Sequence, residues 1–95
     1  MPASLDIQHL TSDHGGRFET QVDGLRCEAD YVRQGHTVTF THTGVPAAAL
    51  QRGIAAQLMA TALDWARAEG VKVVPACSYV RVYMQRHKAT QDLLK

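Results

Sequence analysis

The chain has 95 residues, 45% of them apolar and 20% charged, with a formal net charge of +1. That length supports one modest core, so residues 1–95 read as a single domain. Near-neutral charge removes the electrostatic case for nucleic acid or an anionic membrane, and no apolar run approaches the roughly 20 residues of a membrane span. The stretch Met1-Pro2-Ala3-Ser4-Leu5-Asp6 lacks the basic and apolar segments of a secretory signal, so a cytoplasmic location is expected. Cys27 and Cys77 stand alone, without a nearby Cys or His at zinc-site spacing, so neither a metal site nor a disulfide is expected.

Taken in chain order, residues 16–22 alternate, with Phe18, Thr20 and Val22 on one face and Arg17, Glu19 and Gln21 on the other. Asp23-Gly24 is a strong hairpin signal. Beyond it Leu25, Cys27, Ala29 and Tyr31 alternate with Arg26, Glu28 and Asp30, which places Cys27 in the core. Gln34-Gly35 turns the chain into a strand over 36–43, completing an antiparallel meander. By the same period-two counting, His42 shares the face of Val38 and Phe40.

From Gly53 the period becomes helical. Ala55, Leu58, Met59, Ala62, Leu63 and Ala66 form a stripe, and Gly70 is placed to end the helix in a left-handed cap. A short strand over 71–74 follows, parallel to that of Phe40 because a helix separates them. Ser78 reads as the N-cap of a last helix carrying Val80, Tyr83 and Met84, and the tail from Lys88 gives no pattern. The expected order is βββαβα, an α/β sandwich with helices packed on a short sheet.

The stretch running from Val45 to Ala56 carries the strongest functional signal. A strand feeding a small-residue turn that opens a helix presents backbone N–H groups and a positive dipole end, which suit a phosphate-bearing cofactor. An ordinary strand-to-helix turn with small residues chosen for packing has the same pattern.

Four segments, His42-Thr43-Gly44-Val45-Pro46, Arg52-Gly53-Ile54-Ala55, Val74-Pro75-Ala76-Cys77-Ser78-Tyr79-Val80 and Tyr83-Met84-Gln85-Arg86-His87, occur in an order that resembles the cofactor-binding core of the Gcn5-related N-acetyltransferases. The resemblance is closest to their short single-domain, yidJ-like branch. Leu50-Gln51 and Lys88-Ala89-Thr90 depart from it, standing where relatives usually carry a glycine-containing pair and a proline-led segment.

The resemblance implies a transfer of acetyl from acetyl-coenzyme A to an amine acceptor, a small molecule or a protein amine; a monomer or weak homodimer is expected. It implies that the backbone of Gln51, Arg52, Gly53, Ile54, Ala55 and Ala56 holds the coenzyme pyrophosphate, with Arg52 adding a charge. Thr43 and Val45 would lie on the strand edge beside the pantetheine arm. Cys77 would sit at the acyl group, either as a nucleophile or as a small residue shaping the space. Tyr83, with Tyr79 a helical turn away, would protonate the leaving thiolate, and His42 would accept a proton. Each has a plainer reading: core aromatics for the tyrosines, a hydrogen-bonded strand-end residue for His42. Two other function classes remain open at this point, a non-catalytic acyl-coenzyme A-binding module and an adaptor domain without cofactor.

Overall fold

The computed structural model describes residues 5–95; residues 1–4, part of the stretch read above for a targeting signal, lie outside them. Five strands lie side by side in chain order: β1 (Gln8–Thr11), β2 (Gly15–Val22), β3 (Leu25–Gln34), β4 (Thr37–Gly44) and β5 (Lys72–Pro75). The first four pair antiparallel, and β5 joins β4 in parallel with Phe40 opposite Pro75. Between β4 and β5 run α1 (Ala47–Gln51) and α2 (Ile54–Glu69); α3 (Ser78–Arg86) and a 3-10 turn (Lys88–Leu93) follow β5.

The alternation in β2 and β3 places Phe18, Thr20, Cys27, Ala29 and Tyr31 inward, where all are buried. They meet the stripe of α2 (Ile54, Leu58, Met59, Ala62, Leu63, Ala66) and, from α3, Val80 and Met84 in one core. The other face carries charged pairs, Arg17 with Asp30 and Glu28 and Arg26 with Glu19, and remains half-exposed. This is the two-layer α/β arrangement expected, an antiparallel meander extended by one parallel strand.

The local signals behave as their chemistry requires. Asp23 and Gly24 both take positive φ in the β2–β3 turn, with Val22 opposite Leu25. Gly70 closes α2 in the left-handed conformation, its N–H donating to the carbonyls of Ala66 and Arg67.

Three features differ from the expectation. The edge strand β1 has no amphipathic signature, since it turns His9 inward and leaves Leu10 exposed. The run Ala47-Ala48-Ala49-Leu50 forms a helix of its own behind Pro46, whose carbonyl accepts from the N–H groups of Ala49 and Leu50. The tail, unassigned from sequence, folds back so that Leu94 bridges Val73 and Arg67 holds Asp92 at 2.6 Å. No helix among the described residues is long and apolar enough to cross a membrane.

Candidate active site at the open end of the parallel strands

The β4–β5 ladder runs from Thr37 opposite Lys72 to Phe40 opposite Pro75 and stops there. One further link joins the strands, from the N–H of Cys77 to the carbonyl of Phe40 at 3.0 Å. Residues 42–44 of β4 continue in register with β3 alone, because β5 ends at Pro75 and the chain turns into α3. The outer edge of β4 therefore carries no partner strand there and faces the start of α3 across a wedge.

Cys77 stands at the apex of that wedge and is the N-cap residue of α3. The expected cap, Ser78, is instead the first helical residue, because the extended backbone of Cys77 (φ −82°, ψ 137°) is the last before the helix starts. The sulfur is half-buried and lies 3.1 Å from Thr43 Oγ1 across the wedge. Burial pushes the thiol up, but the Thr43 hydroxyl and the main-chain N–H groups of Tyr79, Val80 and Thr43 together bring it below its ordinary value. No strict side-chain cap hydrogen bond forms, so the helix amides act on the sulfur mainly through their dipoles. Cys27 is the opposite case: fully buried, with its thiol pushed up by desolvation.

The α1–α2 junction is the second component. Gly53 takes φ +74°, and a Cβ built there would meet nothing within 4 Å, so backbone conformation rather than crowding calls for glycine. Its own N–H donates to the Leu50 carbonyl, and the first bond inside α2 runs from the Gln57 N–H to the Gly53 carbonyl. The N–H groups of Ile54, Ala55 and Ala56 therefore have no acceptor within their helix. The side chains of Ile54 and Ala55 point into the core, which leaves Ala56 as the small residue facing outward. Gln51 is exposed at the end of α1. Arg52, also exposed, pairs with Asp23 of the β2–β3 turn at 3.0 Å. An exposed pair of this kind contributes little and leaves the guanidinium available to a stronger anionic partner.

A groove of about 240 Å³ joins this junction to α3, with Leu50 and Ala56 on one side and Tyr79, Tyr83, Arg86 and His87 on the other. Burial pushes both phenols up, and neighbouring Asp64 adds to the effect at Tyr83. Tyr83 stacks on His87 with ring centroids 3.9 Å apart, and the His87 Nδ1 lies 2.8 Å from the Tyr83 carbonyl. Arg86 and His87 were not expected here. Tyr79, Tyr83 and Arg86 recur at the i, i+4, i+7 spacing of one helix face, a signal available in the sequence.

His42 is a correction. Between Asp30 opposite His42 and Tyr31 opposite Phe40 the register slips by one, leaving Thr41 as an extra residue in β4. An extra residue reverses the parity of all that follows. His42 is therefore exposed on the charged face beside Glu28 and Asp30, not on the face of Val38 and Phe40, and Thr43 takes the place facing Cys77. Its expected part in proton transfer loses the face-sharing on which it rested. The three ligand atoms of Glu28, Asp30 and His42 lie within 4.8 Å of one another, but Arg17 already spans both carboxylates at 2.6 and 3.1 Å.

A parallel strand pair that ends beside the N-termini of α2 and α3, with a thiol at its apex, defines a small mixed α/β protein. Comparison with known families agrees: the model of a family described as GCN5-related N-acetyl-transferase matches residues 17–93. The chain belongs to that family, and an acetyltransferase type of function follows.

Proposed function

We propose that the protein is a small N-acetyltransferase that takes its acetyl group from acetyl-coenzyme A and passes it to an amine not yet identified. The observation that carries this reading is the wedge between the β4 edge and the start of α3, closed at its apex by the Thr43–Cys77 contact and flanked by the Gly53 helix start. An extended thioester arm laid along the free edge of β4 would reach Cys77 with its acyl end. Its pyrophosphate would meet the N–H groups of Ile54, Ala55 and Ala56, with Arg52 swinging from Asp23 to add a charge-assisted contact. The groove beyond, between Ala56 and Arg86, offers stacking surface and positive charge for the rest of the nucleotide.

In the proposed step the neutral amine attacks the thioester carbonyl, whose oxygen is polarised by main-chain N–H groups of the β4 edge. The C–S bond breaks, the electron pair leaves on sulfur, and a phenol of α3 protonates the thiolate while water takes the proton from the new amide nitrogen. Tyr79 follows Cys77 by two residues and Tyr83 by six, an axial difference of about 6 Å along the helix, which favours Tyr79 for the sulfur and Tyr83 for the groove wall. A second reading has its own support: the lowered Cys77 thiol is suited to accept the acetyl first and pass it on.

Titration calorimetry with coenzyme A, followed by coenzyme release from acetyl-coenzyme A with a panel of amines, tests the proposal. Binding with amine-dependent release supports transfer; binding without release leaves an acyl-coenzyme A-binding module, and no binding leaves an adaptor domain. Intact mass after acetyl-coenzyme A alone separates the two routes. Direct transfer leaves Cys77 unmodified, whereas a competent adduct lost in Cys77→Ala establishes the two-step route.

A further inference from the structure

A larger cavity, of about 420 Å³, lies where β1 and β3 meet the C-terminal half of α2, and it shares no lining residue with the groove beside α3. Trp65, which faces it, follows Ile54 by eleven residues, a rise of about 16 Å along α2. The cavity therefore lies well away from the Gly53 helix start. We propose that this cavity is a binding site for a small organic ammonium ion carrying an apolar body.

The walls are aromatic and fixed. The His9 ring stacks on Phe18 at 4.0 Å and meets Trp65 edge-on at 4.8 Å, while Tyr31 packs against Trp65 at 4.9 Å. The Tyr31 hydroxyl, on a residue only 5% exposed, bonds His9 Nε2 at 2.6 Å, which locks both rings. Rings held in this way present their faces without an ordering cost on binding.

The charges favour a cation. Asp13 and Glu69 face the cavity against Arg33 alone, one negative charge in excess. Burial, opposed by Glu69, lowers His9, which works against a positive charge on the imidazole in this wall. The site already holds one cation of its own: the Arg33 guanidinium lies 5.9 Å from the Trp65 ring centroid and 2.8 Å from Glu69. Asp13 has no ion-pair partner among the described residues, which leaves a carboxylate for an incoming ammonium next to an aromatic wall. The volume matches a ligand of small-molecule size.

Trp65 is the only tryptophan, so its fluorescence and its indole N–H resonance report on this cavity alone. Titration of the whole protein at neutral pH with benzylamine, benzoate and benzyl alcohol separates charge from ring. Saturable change with benzylamine is expected, with benzoate and benzyl alcohol weaker by about fivefold or more. Asp13→Asn, a change on an exposed loop, should weaken benzylamine by roughly threefold to tenfold and leave coenzyme A binding as in the parent. Absence of a saturable response to benzylamine, benzoate binding as tightly, or unchanged affinity in Asp13→Asn would each overturn the proposal. None of these readouts depends on acetyl transfer, so failure here and failure of the proposed function are distinguishable.

Discussion

Replacing Thr43 by valine tests the electrostatics of the wedge at a single atom. Valine keeps the shape of the side chain and removes the hydroxyl that lies 3.1 Å from Cys77 Sγ, leaving the α3 amides in place. A hydrogen bond to a charged acceptor contributes about 1.5–3 kcal/mol; sulfur accepts weakly and the site is half-open, so the low end applies, equivalent to roughly a tenfold change in thiolate population at neutral pH. The assay is the pH dependence of iodoacetamide alkylation, followed by mass spectrometry of the two cysteine peptides. In the parent, Cys77 reactivity should rise at a pH below that of an ordinary thiol, and Cys27, fully buried, should stay inert. Thr43→Val should slow Cys77 by about tenfold at neutral pH but little at alkaline pH, where the thiol is ionised in both proteins. Thr43→Ser, which restores the hydroxyl, should return the parent profile. If Thr43→Val alkylates at the parent rate across the range, the hydroxyl does not act on the sulfur and the account of the apex is wrong.

Other outcomes follow from the same geometry. Gly53→Ala and Gly70→Ala both place a side chain at positive φ in open space, so each should lower unfolding stability by about 1–2 kcal/mol, but only Gly53→Ala should also weaken thermal protection by coenzyme A. Asp23→Asn keeps an Asn-Gly hairpin turn and frees Arg52, so coenzyme A should bind up to about fivefold more tightly; unchanged binding would show that the guanidinium does not reach the phosphates. Because the folded Cys77 thiol titrates below its unfolded value near 9.0, its contribution to stability is present above that pH and lost as pH falls through the folded value. Melting curves of parent and Cys77→Ala should therefore diverge on the alkaline side and converge toward neutrality. Turnover in Cys77→Ala should persist with a loss of roughly tenfold under direct transfer, whereas Tyr79→Phe with Tyr83→Phe should lose about a hundredfold or more if a phenol is the acid.

The parts of the fold legible in the sequence are those where one local rule acts alone. Alternation in β2 and β3 is clean because one face meets α2 and the other meets water, and Asp23-Gly24 is among the few dipeptides suited to two successive positive φ values. Gly70 and the α2 stripe were legible for the same reason. β1 was not, because it is a short edge strand whose inward residue is a histidine and whose apolar residue faces out. Counting by twos failed at His42, since a bulge at Thr41 is a property of the pairing with β3 and leaves no mark in the composition of β4.

The candidate site shows the same division. Gly53 and Cys77 could be singled out from residue type and position, but the contact between Thr43 and Cys77 joins residues thirty-four positions apart and needs the parallel pairing to exist. The N-cap falls on Cys77 and not Ser78 because the extended backbone of Cys77 is the last before the helix starts, a one-residue difference that residue type alone does not set. Arg86 and His87 entered through the face of α3 that Tyr79 and Tyr83 already marked.

The most direct test of the central claim is a titration of isotope-labelled protein with acetyl-coenzyme A, read residue by residue in amide spectra. The account predicts saturable shifts concentrated at Thr43, Gly53, Ile54, Ala55, Ala56 and Cys77, with the indole N–H of Trp65 unmoved. Shifts confined to the Trp65 cavity, or none at millimolar acetyl-coenzyme A, would contradict it.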